Sequence, residues 1–124
     1  MRTARLLLLA ALTTMAIPGA PALAAPPAYI VGSITITDLE AYNRVYASKV
    51  PALIAAHGGR YLVRGGKMEP LEGAATRPRH VIVVFPDMAA ARGFWNSPEY
   101  RALAAARQPY ASFDLVLVEG RPAD

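Results

Sequence analysis

Apolar and polar residues alternate with period two through the first patterned stretch. Ile30, Ile34 and Ile36, with Gly32, share one face of a strand over residues 29–37; Tyr29, Val31, Ser33, Thr35 and Thr37 share the other. β-branched residues dominate it, which suits a pleated surface. The period then changes. Thr37-Asp38-Leu39-Glu40 has the form of a capping box, with Thr37 and Glu40 satisfying free backbone donors. Tyr42, Val45, Tyr46, Val50, Leu53 and Ile54 follow at helical spacing as one apolar stripe. Pro51 lies inside that stripe, cannot donate and crowds the preceding turn, so it kinks or restarts the helix. His57 falls in the last turn and Gly58 at the C′ position.

Gly58-Gly59-Arg60-Tyr61-Leu62-Val63-Arg64-Gly65-Gly66-Lys67 is one short strand between two Gly-Gly pairs. Regular alternation puts Arg60, Leu62 and Arg64 on one face and Tyr61 and Val63 on the other. Residues 67–79 read as a connection with Pro70, Gly73 and Pro78, and with a short edge strand at 68–71. Residues 80–85 are an apolar run expected to be central and buried on both faces. Asp87 then caps a helix whose buried side is Met88, Ala91 and Trp95. Ser97-Pro98-Glu99 starts a second segment that runs to about Arg107. A strand over 114–119 closes the domain, and 120–124 is a tail.

Strand, helix, strand, strand, helix, strand is the split βαβ plan. It predicts an α+β, ferredoxin-like βαββαβ fold: a four-stranded antiparallel sheet with two helices on one face. The other face would carry Val31, Leu62, Ile82, Val116 and Val118. That is too much apolar surface to leave wet, so a homodimer packed sheet against sheet is expected.

The N-terminus changes the size of the domain. Arg2 and Arg5 precede an uncharged run over 6–17, Pro18-Gly19-Ala20-Pro21 breaks it, and Ala22-Leu23-Ala24 fits a small-x-small cleavage site. Residues 1–24 therefore read as a secretory signal peptide and 25–124 as one domain, secreted or periplasmic. The run is too short for a spanning helix, so no membrane association is expected after cleavage. Loss of Arg2 and Arg5 lowers the formal charge from +4 to +2, which gives little support to nucleic-acid binding. The absence of cysteine removes disulfides, thiolate catalysis, zinc–thiolate sites and iron–sulfur clusters.

Gly58-Gly59-Arg60-Tyr61-Leu62-Val63-Arg64-Gly65-Gly66, Val81-Ile82-Val83-Val84-Phe85-Pro86, Ala91-Arg92, Trp95, Ser97-Pro98-Glu99-Tyr100 and Leu115-Val116-Leu117-Val118-Glu119-Gly120 stand in an order that resembles the domain of unknown function 1330 family. The resemblance covers residues 28–120. It implies a dimeric α/β barrel, in a group that also holds cofactor-free monooxygenases, isomerases and haem-dependent proteins. The family has no established activity, so it assigns no catalytic residue. Where its pattern has an acid before Phe-Pro, this chain has Val84, which removes a charge pair with Arg64. Its members are mostly intracellular, whereas this chain carries an export pattern.

Arg60 and Arg64 suit bidentate recognition of a carboxylate or phosphate; alternatively they pair with Glu69, Glu72, Asp114, Glu119 or acids of a partner subunit. His80 can act as a general base or haem ligand, or simply hydrogen-bond a loop. For His57 a helix-end role suffices. Tyr42, Tyr46, Tyr61 and Trp95 read as core, while Tyr29 faces the other side of the sheet and joins Arg60, Arg64 and His80 as a ligand-binding candidate. No H-x-x-x-H, G-x-S-x-G or complete phosphate loop is present, and no metal or cofactor is expected. Three readings stand: a homodimer binding a small anionic or aromatic molecule, a cofactor-independent oxygenase or isomerase, and a structural dimer without ligand.

Overall fold

The computed structural model describes residues 25–74 and 77–122, with Ala10, Ala11 and Thr13. The expected signal peptide otherwise lies outside the described residues. Among those described, no helix is long and apolar enough to cross a membrane. The elements are β1 (Ala28–Ile36), α1 (Leu39–Tyr42), a π-helical segment (Asn43–Ala47), α2 (Val50–Ala56), β2 (Arg60–Arg64), β3 (Arg79–Phe85), α3 (Met88–Asn96), α4 (Pro98–Arg107) and β4 (Ala111–Glu119). The sheet order is β2-β3-β1-β4 with every neighbouring pair antiparallel, which is the ferredoxin-like arrangement.

Alternation along β1 sets the two faces. Ile30 pairs with Val83 and Leu117, Gly32 with Val81 and Leu115, and Ile34 with Arg79 and Phe113; this is the helix face. Against it pack Tyr42, Tyr46, Val50 and Ile54 from the first helical run, and Ala91, Phe94, Tyr100 and Ala104 from α3 and α4. Four-residue spacing drifts around a helix of 3.6 residues per turn, and the wider π turn takes up part of that drift between Tyr42 and Val50. Gly32 is required here, because a Cβ would sit 2.6 Å from Leu115 Cδ2 and 2.8 Å from Val81 Cγ2.

The local signals differ from expectation in a few places. Asp38, not Thr37, caps α1: its carboxylate accepts from the Ala41 amide at 3.0 Å, while the Thr37 hydroxyl donates to the Tyr110 carbonyl at 3.1 Å. Pro51 restarts the helix rather than kinking it, since it falls in the first turn of α2. Asp87 and Ser97 cap α3 and α4 as expected, accepting from Ala90 at 2.8 Å and Tyr100 at 3.2 Å. No strand forms at 68–71, and β4 starts three residues earlier than expected, at Ala111. On α3 the buried aromatic is Phe94; Trp95 is half-buried, with Arg101 stacked 4.1 Å from its ring centroid.

Candidate functional site

The strand 60–64 is not regular. Arg60 pairs with Val84 and Tyr61 with Val83, but Val63 pairs with Ile82 and Arg64 with Val81, so Leu62 is an extra, bulged residue. A bulge resets the alternation. Arg60 therefore stays on the open face while Arg64 turns to the helix face, contrary to the shared face that regular alternation predicts. Arg64 stacks 4.7 Å from the Tyr61 ring centroid and donates from Nη2 to the Ala47 carbonyl at 2.8 Å, at the end of the π segment.

The four sequence candidates are thus divided. Tyr29, Val84 and Arg60 form one cross-strand row on the open face, with Val118 beyond Tyr29. His80 lies on the same face but four residues along β3, roughly 13 Å from that row. Between them runs an apolar row, Val116–Val31–Ile82–Val63. His80 sits beside Ser33 and Asp114 in a polar row, with its Nδ1 2.6 Å from Met68 Sδ. Asp114 is held by Arg77 Nε at 2.6 Å. Among the described residues neither Arg60 nor Arg64 forms an ion pair with the acids considered for them; Glu69 pairs instead with Lys67.

The helix layer holds two spaces. An inner chamber of about 30 Å³ is walled by Tyr42, Tyr46, Tyr61, Tyr100, Ile30 and Leu115, among others. The Tyr46 and Tyr100 hydroxyls hydrogen-bond at 3.1 Å. Burial raises the Tyr42 and Tyr61 phenols and pushes that of Tyr46 well above the usual tyrosine range; for Tyr46 the neighbouring Tyr100 adds to it, and for Tyr42 the guanidiniums of Arg79, Arg107 and Arg64 oppose it. These phenols stay neutral at physiological pH. The outer space is a cavity of about 230 Å³ between α3 and the edge strand β4, lined by Ile30, Arg92, Trp95, Leu115, Val116 and Leu117. It shares Ile30 and Leu115 with the inner chamber. Arg92 and Trp95 are three residues apart on α3 and so share a face. Arg92 has no ion pair or hydrogen bond among the described residues.

Sequence reasoning missed Arg92, Arg79, Arg107, Phe94 and Tyr100 as contributors. Arg92 was legible: a cation three residues before the lone Trp, on a helix with its apolar side known, must stand at the edge of the buried stripe. Arg79 and Arg107 sit at element ends, where a cation ordinarily meets water.

An open antiparallel sheet, helices on one side and a tyrosine-lined interior define a ferredoxin-like α+β domain with a pocket in its helix layer. Its sequence places it further. The chain belongs to the family described as Domain of unknown function (DUF1330), which matches residues 27–121. No curated protein matches it. Among solved structures it is similar to the RPA0582 protein of unknown function from Rhodopseudomonas palustris, at 15% identity over 79% of this chain and 85% of that one, with a TM-score of 0.62. The methylated form of that protein gives 16%, 78%, 82% and 0.64. SnoaB, a cofactor-independent oxygenase from Streptomyces nogalater, is 17% identical over 80% of this chain and 97% of its own, with a TM-score of 0.52. At these identities the likeness carries the fold alone.

Proposed function

We propose that this protein is an exported homodimer that binds a small aromatic carboxylate in the cavity between α3 and β4. The carrying observation is the composition of that cavity: about 230 Å³, apolar and aromatic walls, and Arg92 as the single cation lining it. Drug-sized ligands occupy sites of roughly 300–1,000 Å³, so this one suits a single ring. A ring stacks on Trp95 and its carboxylate meets the Arg92 fork.

The homodimer rests on the open face, where an apolar row crosses all four strands and Val116 is 61% exposed. A second copy packed sheet to sheet covers it and places Tyr29, Arg60 and His80 at the seam. Export rests on the leader pattern of residues 1–24, whose removal leaves a secreted or periplasmic domain of residues 25–124.

Trp95 is the only tryptophan, so selectively excited fluorescence reports on this cavity alone. Benzoate is expected to change it saturably, and Arg92→Ala to weaken the affinity at least about tenfold, as loss of a charged hydrogen-bond partner does. No saturable change with wild type removes the ligand reading and leaves the structural dimer.

A second reading, a cofactor-independent oxygenase, is favoured by the Tyr46–Tyr100 hydroxyl pair in the inner chamber and by the fold shared with SnoaB. It expects oxygen uptake with an added hydroquinone above the uncatalysed rate, reduced in Tyr46→Phe. Equal uptake with and without protein for a panel of such phenols counts against it.

A further inference from the structure

We propose a second site in the helix layer, separate from the α3–β4 cavity, in which Arg79 and Arg64 hold a small oxyanion beside Tyr42 with the buried Arg107 as a third positive charge.

The sheet register brings the first two together. Arg64 pairs with Val81, which is two residues from Arg79 on the same face of β3. The Arg79 guanidinium lies over Gly65: a Cβ there would be 2.7 Å from its Nη1. Gly65 also has φ +68°, so glycine both turns the chain and leaves room for the guanidinium. Arg107 comes from the last turn of α4 and lies 3.7 Å from the Phe113 ring centroid, and Phe113 packs on Tyr42. All three guanidiniums oppose the upward effect of burial on the Tyr42 phenol, which is consistent with this placement.

The charges are not balanced within the chain. The ion pairs among the described residues join Lys67 to Glu69 and Arg77 to Asp114, and neither involves these arginines. Arg107 is only 7% exposed, and the Nε atoms of Arg79 and Arg107 are buried without a hydrogen-bond partner. A guanidinium carries five donors. Arg107 uses one on the Tyr100 hydroxyl at 3.4 Å, and Arg64 one on the Ala47 carbonyl. Ring contacts and the carboxyl end of α4 offset part of the cost of burying Arg107. They supply no acceptor for the two orphaned Nε–H groups, and buried charges are ordinarily paired.

The inner chamber, which Tyr42 also walls and which none of the three arginines lines, offers no room for a larger body beyond Tyr42. A chamber of about 30 Å³ holds a water molecule or two and no organic body. The occupant is an oxyanion because planar forks match paired oxygens.

The test is a titration of residues 25–124 with inorganic phosphate, followed by nitrogen-15 NMR of the arginine Nε–H groups. Saturable shifts are expected at Arg79 and Arg107. Arg79→Gln should weaken binding at least about tenfold, a loss suited to one charge-assisted contact. Arg60→Gln, on the opposite face, should leave it unchanged. Arg64→Gln is the second variant, in case loss of Arg79 disturbs the sheet. Phenyl phosphate run in parallel names the source: preference for inorganic phosphate supports a free anion, and preference for the ester supports the headgroup of a larger molecule whose body stays in solvent. Absence of saturable shifts with either, or equal weakening by Arg60→Gln, overturns the proposal. The reading of the α3–β4 cavity fails separately, because it depends on Arg92 and is read at Trp95.

Discussion

On the helix side of the sheet, Ile30, Ile34, Val83 and Phe85 are between 1 and 7% exposed; on the other side, Val116 and Val118 are 61% and 48% exposed. The same four strands build both faces, so the difference lies in what the chain itself supplies to cover them. Two helical runs reach over one face and none over the other. The polar residues divide as well. Arg64, Arg79 and Arg107 lie on the covered side without an ion pair among the described residues, whereas Asp114, Ser33 and His80 form a row on the open side. The covered side is thus packed by the chain itself but short of paired negative charge, and the open side, where Asp114 pairs with Arg77 and Arg60 has no ion pair among the described residues, is short of packing. In the proposed reading an anion meets the first shortage and a second copy of the chain meets the second.

Substitutions sharpen this contrast in order of size. Phe85→Ala empties a fully buried position and should cost about 3–5 kcal/mol by denaturant unfolding. A cost near zero would mean the covered face is not the core. Val31→Asp, in the middle of the open apolar row, should leave the secondary structure intact by circular dichroism yet turn the proposed homodimer into a monomer by sedimentation. An unchanged dimer would move the interface elsewhere. Tyr46→Phe should cost about 1 kcal/mol for one lost hydrogen bond. It should also flatten the alkaline limb of the stability profile. A phenol whose folded pKa is raised keeps its proton when the unfolded chain releases it. Its contribution is therefore constant below about pH 10 and declines as pH rises from there through the folded value. Deleting Leu62 is the mildest change. It removes the bulge but keeps Arg64 opposite Val81, so the Arg64–Tyr61 stacking should survive with little loss of stability. If the strand were regular, the deletion would turn Arg64 over instead.

Much of the architecture was legible because it follows from local periodicity. The faces of β1 and the caps at Asp87 and Ser97 are set by residues near one another in the chain, whereas the open apolar row takes Val63 in place of the expected Leu62 because it depends on cross-strand register. The bulge at Leu62 was not legible. It depends on how β2 registers against β3 across a long connection, and nothing within Arg60-Tyr61-Leu62-Val63-Arg64 breaks the alternation. That one residue divides the set Tyr29, Arg60, Arg64 and His80 between two faces. Thr37 lost the cap to Asp38 for a similar reason: the Tyr110 carbonyl, far along the chain, claims its hydroxyl. The arginine cluster was hidden because Arg79 and Arg107 end their elements, and burial at those ends comes from tertiary packing alone.

Native mass spectrometry of residues 25–124 with added benzoate tests the central division of labour most directly, because it reads the open face and the helix-layer cavity in one spectrum. The account predicts a dimer carrying two benzoates, one per helix layer. A monomer, a dimer that retains no benzoate, or a dimer with a single benzoate at the seam would contradict it.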